Sequence, residues 1–127
     1  LVAGASSHPG KFGFVVMHNL LASGYEGAVY GTNLQREVVL DVKTVADPSE
    51  LPDDSLDLVV VCTPSAANVA LLRACAAKGA TAAFVTSAGY GEAVADALMR
   101  AGDLRACPDR CDWNGGCKYP SVCRSER

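Results

Sequence analysis

The opening residues of the chain, LVAGASSHPGKFG, constrain its fold more than any other stretch. Residues 1–3 resemble the end of a buried strand, small and polar residues follow, and an apolar helical pattern begins at Phe14. A strand that enters a helix through small residues leaves backbone N–H groups unpaired at the helix N-terminus, where the helix dipole favours negative charge. The pattern predicts a site for a phosphate-bearing ligand, and the alternative is a loop that only turns the chain.

The glycines and serines of this loop are suited to a ligand. Gly4, Gly10 and Gly13 leave room for a ligand and for close packing of a helix on a sheet, and Ser6 and Ser7 add hydroxyl donors. The glycine spacing is not the G-x-G-x-x-G of a dinucleotide site, and the loop has no G-K-[ST] of a P-loop. The loop therefore indicates phosphate without choosing a ligand.

The helix after the loop is predicted to carry one apolar face. Phe14, Met17 and Leu20 have the spacing of a single helical side, which Leu21 and Tyr25 extend. A glycine at position 24 is a plausible stop for this helix. Residues 27–33 then read as a second short strand, and residues 38–45 as a minor strand or an extended connection. The turn-rich residues 47–52 are expected to pack little.

Residues 56–62, LDLVVVC, give the strongest strand pattern in the chain. A continuous β-branched run is typical of a strand buried on both faces of a parallel sheet. A helix over 66–78 with Gly79 as its cap, a strand over 81–86 and a helix over 92–101 follow. This alternation predicts an α/β fold: a Rossmann-like, doubly wound, mainly parallel sheet with right-handed crossovers.

Ligands of such sheets lie beyond the carboxyl ends of the strands. Four predicted loops meet this edge, over residues 4–13, 32–36, 62–65 and 86–91, and each is small or polar. Short turns also have this composition for purely structural reasons. We favour a binding crevice because this fold places ligands there routinely.

The length and net charge of the chain indicate a single domain and give no reason to expect nucleic acid or a membrane as partner. The chain has 127 residues and a formal net charge of −3, so we expect one domain and neither nucleic acid nor a membrane as partner. It shows no apolar run of membrane-spanning length and no secretion signal, so we expect a cytoplasmic protein. Because residues 1–3 are short for a buried first strand, we also expect a fragment whose sheet is incomplete at both ends.

Four motifs in order resemble the CoA-binding domain of the NDP-forming acyl-CoA synthetases. They are GASSHPGKFG from residue 4, VYGTN from residue 29, DLVVVCTP from residue 57 and TSAGY from residue 86, and the resemblance covers residues 1–92. That family includes ADP-forming acetate–CoA ligase and the α subunit of succinyl-CoA synthetase. The resemblance implies coenzyme A, free or acylated, as the ligand.

The resemblance also implies where CoA lies. Its diphosphate would lie on the first loop, its ribose 3′-phosphate and adenine beside the second, and the nucleotide and pantetheine between the third and fourth. The implied contact residues are Gly4, Ser6, Ser7, His8, Gly10, Lys11, Gly13, Asn33, Arg36, Thr63, Pro64, Thr86, Ser87, Ala88 and Gly89.

The second loop departs from the family pattern. Relatives commonly continue Asn-Pro-Lys, whereas this chain has Asn33-Leu34-Gln35 before Arg36, so the lysine that would face a phosphate is absent and Arg36 replaces it only if the turn bends differently. An NAD site would need a carboxylate at the end of the second strand. We expect none there, because that position holds Thr32 or Asn33.

In the family, ligation passes a phosphoryl group through a histidine of a separate domain and uses an ATP-grasp module. The resemblance implies such domains as partners and ascribes binding, without catalysis, to this chain. Of its two histidines, His18 reads as a surface residue of the helix, and His8 as a ligand contact or a turn residue before proline.

The cysteines fall into two groups. Cys62 and Cys75 are most simply buried small hydrophobes, with a reactive Cys62 as the minor alternative. The others crowd residues 105–127, which we assign to a tail separate from a CoA-binding domain over residues 1–104, and in which we expect no further strand. A shifted reading frame, a zinc site and disulfides compete as explanations of the tail; the C-x3-C and C-x5-C spacing is poor for zinc.

Two other functions stay open at this point. One is a regulatory module that senses a nucleotide such as NAD without catalysis. The other is a truncated, non-functional fragment, since an uncovered sheet edge is a liability.

Overall fold

The computed structural model describes residues 1–87 and the backbone of residues 105–108. In this part of the chain the strands are β1 (Val2–Ala3), β2 (Gly31–Thr32), β3 (Val38–Val39), β4 (Val42–Lys43), β5 (Leu58–Val61), β6 (Ala82–Val85) and β7 (Arg105–Pro108). The helices are α1 (Phe12–Ala22) and α2 (Asn68–Ala77), and short 3-10 turns occupy Pro48–Glu50 and Ser65–Ala67.

The central sheet has five described strands in the order β2-β1-β5-β6-β7. Every pair of neighbours in it is parallel, and Val2 of β1 aligns with Gly31 on one side and with Val60 on the other. The chain therefore moves from β1 to one side for β2 and returns to the other side for β5. This confirms the predicted α/β fold with a mainly parallel sheet, and it creates a switch point between β1 and β5.

Two apolar clusters cover opposite faces of the sheet. On one face Met17 of α1 packs with Val2 and Val39, and on the other Leu72 of α2 packs with Val59. Consecutive residues of a strand point to opposite faces, so the two residues of β1 contribute one side chain to each cluster. Helices on both faces are the doubly wound arrangement expected from the sequence.

The minor strand predicted over residues 38–45 is an antiparallel hairpin of β3 and β4. Its turn residues Leu40 and Asp41 have φ values of 48° and 67°, as the tightest hairpin turns require. Val39 is fully buried beneath α1, and Val45 forms a single parallel bridge to Thr32. The hairpin therefore extends the sheet edge next to β2, which itself is shorter than the predicted second strand.

The expectation that residues 47–52 pack little is wrong, because Pro48 and Leu51 are buried. The turn is held by a capping box in which the Asp47 carboxylate accepts from Ser49 N at 2.9 Å and Glu50 Oε1 accepts from Asp47 N at 3.2 Å. The hydrogen bonds from Ser49 lower the pKa of Asp47. Because its polar groups are paired within the turn, the turn can pack Pro48 and Leu51 against α2.

The prediction that β5 is buried on both faces is wrong for its first residue. Val59 and Val61 are fully buried under α2, whereas Leu58 is 50% exposed on the other face. On that face Phe84 of β6 is also 42% exposed. This face is exposed because α1 packs over β1 and the hairpin and, within the described residues, does not cover β6.

The predicted apolar face of α1 is only partly correct. Met17 is fully buried, but Leu21 and Tyr25 are 37% and 56% exposed. The helix ends at Ala22, with Ser23 as its C-cap, so Tyr25 no longer shares the helical periodicity. The predicted stop at Gly24 and the cap at Gly79, whose amide donates to Ala76 O at 3.0 Å, agree with the structure.

The sheet continues into the segment that we assigned to the tail. Residues 105–108 form β7 and align in parallel with β6, so the expectation of no strand there is wrong. The predicted helix over 92–101 and the remainder of the tail lie outside the described residues, and the domain boundary stays a prediction. Neither described helix combines the length and apolarity needed to cross a bilayer.

We expect Leu72→Ala to lower the free energy of unfolding by about 2–5 kcal/mol, because it leaves a cavity under the sheet. Leu34→Ala is the matched control, since Leu34 is 82% exposed and should change stability by less than about 0.5 kcal/mol. Urea unfolding followed by circular dichroism measures both. Equal losses would contradict the assignment of α2 to the core.

Burial raises the pKa of the Cys75 thiol to about 12. A thiol of the unfolded chain has a pKa of about 8.5, so the stability that the buried neutral thiol contributes is complete below that pH and is lost as the pH rises toward the pKa of the folded state. Between about pH 8.5 and 10 the wild type should lose about 2 kcal/mol more stability than Cys75→Ala. Urea unfolding under reducing conditions measures the two pH profiles, and parallel profiles would contradict the prediction.

Candidate functional site

The loops that follow β1, β2 and β5 meet at the carboxyl edge of the sheet. Gly4 N donates to Thr32 Oγ1 at 3.1 Å, and Cys62 N donates to Ala3 O at 2.8 Å. Because the strand order reverses between β1 and β5, this edge holds the switch point, where ligands of doubly wound sheets bind in a crevice between the loops. The ligand site predicted from the sequence lies at this edge.

Backbone packing at the crevice requires glycine at two positions. Gly4 has a φ of +81°, and a Cβ atom there would lie 3.0 Å from the carbonyl of Cys62. A Cβ on Gly13 would lie 2.0 Å from Gly4 O, so the first turn of α1 rests directly on the end of β1. A side chain at either position would push the helix or the neighbouring loop away.

The middle of the first loop is ordered by its own polar groups. Ser6 Oγ accepts from His8 N at 3.1 Å, and His8 Nδ1 accepts from Gly10 N at 3.1 Å. A neutral histidine that accepts at Nδ1 carries its proton on Nε2, so the exposed ring of His8 presents an N–H donor. The hydroxyl proton of Ser6 likewise remains to be donated.

The N-terminus of α1 lies at the end of this loop. Its N-cap residue is Lys11, and within the described residues no side chain caps the helix and its first turn contains no acidic residue. The first N–H groups of a helix carry partial positive charge and seek an acceptor. This end of α1 is therefore suited to an anion.

The Asn33 side chain ties the second loop to the first. Its Nδ2 donates to Ala5 O at 3.0 Å, and its Oδ1 accepts from Gln35 N at 2.8 Å. The same amide thus bridges two loops and closes the turn that follows β2. Asn33 is well placed at the predicted site, but its amide is already engaged in holding the loops together.

The end of β2 holds Thr32 and Asn33, as expected, but a carboxylate from farther along the following turn approaches it. Glu37 Oε2 accepts from Ser7 Oγ at 2.7 Å and from Asn33 Nδ2 at 3.4 Å. The Glu37 backbone is held as well, because Thr44 Oγ1 donates to its carbonyl at 2.6 Å. Sequence reasoning missed this residue because it follows Asn33 by four positions, and only the turn brings it back to the first loop.

Arg36 is held away from the first loop. Its φ of 55° marks a left-handed turn residue, and its Nη1 donates to Glu50 Oε2 at 2.5 Å. This hydrogen bond is the main cause that lowers the pKa of Glu50. In this left-handed turn the guanidinium is paired with Glu50, and the role of Arg36 as a substitute for the missing lysine stays a prediction.

The loops after β5 and β6 are joined through a buried amide. Thr63 Oγ1 donates to Asn68 Oδ1 at 2.6 Å, and Asn68 Nδ2 donates to Ser87 Oγ at 2.7 Å. Asn68 is fully buried at the first turn of α2, and sequence reasoning missed it. Thr86 is held separately, because its hydroxyl donates to Val61 O at 2.7 Å. These contacts set the spacing of the two loops.

Cys62 borders the crevice and is half-buried. Burial raises the pKa of its thiol, which disfavours the reactive thiolate. This agrees with the prediction of an inert cysteine. Within the described residues no group of three metal-ligating side chains occurs, and the zinc alternative concerns tail side chains outside them.

The structure thus gathers most of the predicted site residues at one edge. The first loop supplies Gly4, Ser6, Ser7, His8, Gly10, Lys11 and Gly13, the second Asn33 and Arg36, the third Thr63 and Pro64, and the fourth Thr86 and Ser87. Ala88 and Gly89 lie outside the described residues. Contact of any of these residues with a ligand stays a prediction.

Comparison with protein families gives a match to the CoA binding domain over residues 1–113. The α subunit of ADP-forming acetate–CoA ligase I from Pyrococcus furiosus is 35% identical over 95 residues, which are 72% of this chain and 20% of that subunit. ADP-forming acetate–CoA ligase II from Archaeoglobus fulgidus is 31% identical over 91 residues, or 72% of this chain and 13% of that protein. The chain therefore spans a small part of these relatives.

Solved structures agree with the sequence relatives. The dinucleotide-forming acetyl-coenzyme A synthetase 1 of Candidatus Korarchaeum cryptofilum, solved in complex with phosphate and ADP, superposes with a TM-score of 0.78 at 28% identity. The match covers 87% of this chain and 26% of that one. The fold described above is thus also found as one part of a larger synthetase.

We expect Gly13→Ala to lower the free energy of unfolding by about 3 kcal/mol or more, because the clash is with backbone and no side chain can move aside. Gly24→Ala is the control: Gly24 has a φ of +74° with nothing within 4 Å of an added Cβ, so only backbone strain of about 1 kcal/mol applies. Urea unfolding measures both variants. A smaller loss for Gly13→Ala than for Gly24→Ala would contradict the packing of α1 on β1.

Proposed function

The chain belongs to the CoA-binding domain family, and on this basis we propose that it binds coenzyme A or an acyl-CoA with the diphosphate on the loop between β1 and α1. The observation that carries the proposal is the uncapped N-terminus of α1, which rests on β1 through Gly13 beside the switch point of the sheet. Helix N-termini at this place in doubly wound folds are suited to phosphate.

The polar groups of the first loop support this placement. Ser6 presents a hydroxyl proton and His8 an Nε2–H, and both can donate to phosphate oxygens while their other atoms keep the loop in shape. Lys11 adds a positive charge at the helix N-terminus. Such charge-assisted hydrogen bonds are stronger than neutral ones, which suits recognition of a diphosphate.

The remaining loops frame the rest of the ligand in this proposal. Thr63, Pro64, Thr86 and Ser87 flank the nucleotide and pantetheine, and Asn33 lies on the ribose side. Support comes from the Thr63–Asn68–Ser87 hydrogen bonds, which join the loops after β5 and β6 in the absence of a ligand. A preorganised crevice avoids part of the ordering cost of binding.

We further propose that this domain serves an ADP-forming acyl-CoA ligase in which ATP-grasp and phosphohistidine domains supply the chemistry. Support comes from the relatives, which are acetate–CoA ligases of which the chain covers 20% or less. The ring of His18 stacks on Phe14, with 6.1 Å between the ring centroids, and contacts the side chain of Asn19, so we assign it to the surface of α1. Binding, and not catalysis, is the role proposed for this chain.

Calorimetric titration with CoA, pantetheine and NAD tests the proposed ligand. We expect heat with CoA and none with pantetheine, which lacks the diphosphate. His8→Ala should weaken CoA binding about tenfold or more, the loss of a charge-assisted hydrogen bond. His18→Ala, which removes the histidine of α1 outside the loop, should leave the affinity unchanged.

Two outcomes would overturn the proposal. One is binding of NAD without binding of CoA or its dephosphorylated form, which would favour the nucleotide-sensing alternative. The other is an equal effect of the two histidine substitutions, which would remove the first loop from the site. Circular dichroism of each variant verifies that the fold is retained.

A further inference from the structure

The side chain of Glu37 occupies donors that an anionic ligand would otherwise use. Its carboxylate accepts from the Ser7 hydroxyl at 2.7 Å and from the Asn33 amide at 3.4 Å, at the carboxyl edge of the sheet. Glu37 is an exposed residue whose backbone is held in place, because its carbonyl accepts from Thr44 Oγ1 at 2.6 Å and its N–H approaches Asn33 Oδ1 at 3.5 Å. The two side-chain hydrogen bonds therefore place a negative charge at the sheet edge beside β2.

This position has a known meaning in doubly wound sheets. The ribose of a bound nucleotide lies beside the end of the second strand, where a carboxylate accepts hydrogen bonds from the ribose hydroxyls and an arginine accommodates a ribose phosphate. Here both residue types are adjacent in sequence, as Arg36 and Glu37. If the carboxylate faces the ligand, a ribose with free hydroxyls is favoured; if the arginine faces it, a phosphorylated ribose is favoured.

The structure distinguishes the two side chains clearly. The guanidinium of Arg36 is paired with Glu50 at 2.5 Å, on the turn that packs against α2, whereas Glu37 contacts the first loop. Glu50 is itself held in a capping box, so the partner of Arg36 is fixed. The charge beside the predicted ribose position is therefore negative, and its nearest cation along the chain is engaged elsewhere.

We propose that Glu37 is a specificity-determining residue that favours a ligand with free ribose hydroxyls and disfavours one with a ribose 3′-phosphate. The proposal rests on the proposed function, in which the diphosphate lies on the first loop. A carboxylate accepts well from hydroxyl groups, and it repels a phosphate, which carries up to two negative charges. The dephosphorylated form of CoA should therefore bind more tightly than CoA itself.

Titration of the full chain with CoA and with dephospho-CoA measures this preference directly. We expect dephospho-CoA to bind about tenfold more tightly to the wild type at low salt, and the ratio to shrink at high salt, where screening weakens repulsion. This comparison needs no substitution, so it does not depend on the folding of a variant.

Glu37→Gln assigns the preference to the residue. It should raise the affinity for CoA about tenfold and change that for dephospho-CoA by less than about threefold, because the glutamine is neutral and nearly isosteric. Glu26→Gln is the matched control: it removes the same charge from an exposed residue in the connection between α1 and β2, and it should change neither affinity.

The outcomes separate this inference from the proposed function. If CoA binds more tightly than dephospho-CoA to the wild type, or if Glu37→Gln shifts both affinities equally, the role of Glu37 is overturned while CoA binding stands. If neither ligand binds and His8→Ala changes nothing, the proposed function fails, and the role of Glu37 fails with it. The expected pattern, a selective gain for CoA in Glu37→Gln alone, supports both.

Discussion

The contact between the first turn of α1 and the end of β1 governs the rest of this structure. An added carbon on Gly13 would lie 2.0 Å from Gly4 O, so helix and strand touch through backbone alone. This approach brings the N-terminus of α1, whose first N–H groups have no side-chain cap, next to the end of β1 at the switch point of the sheet. The same contact positions Met17 to close one of the two cores.

Around that contact, neutral side-chain amides join neighbouring loops, and the charged side chains lie near the surface or at the sheet edge. Asn33 links the first loop to the second, and Asn68 links the third to the fourth, through hydrogen bonds of 2.6–3.0 Å. Neutral amides can bridge loops without the desolvation cost of buried ions. The charged pair of Arg36 and Glu50 stays near the surface, and Glu37 brings a negative charge to the edge where a ligand would lie.

Much of the fold could be predicted because it depends on local pattern. The alternation of apolar strands with helices indicated a parallel sheet, and the small residues at 4–13 indicated a loop that feeds a helix. The failures are equally specific. Leu58 and Tyr25 are exposed because coverage of a face depends on where α1 ends and what it lies over, which periodicity along one segment cannot show. The burial of Pro48 and Leu51 likewise depends on α2 packing against a turn distant in sequence.

By itself, the sequence determined the order of elements, the glycine-rich turn and the family to which the chain belongs, because backbone propensity, hydrophobic period and short motifs act over neighbouring residues. The tertiary structure alone decided which charges meet the crevice. It turned Arg36 toward Glu50 and Glu37 toward Ser7, through a left-handed turn that joins residues up to thirty positions apart. Electrostatic character at a site is a property of distances in space, and these distances arise only when the loops of separate strands converge.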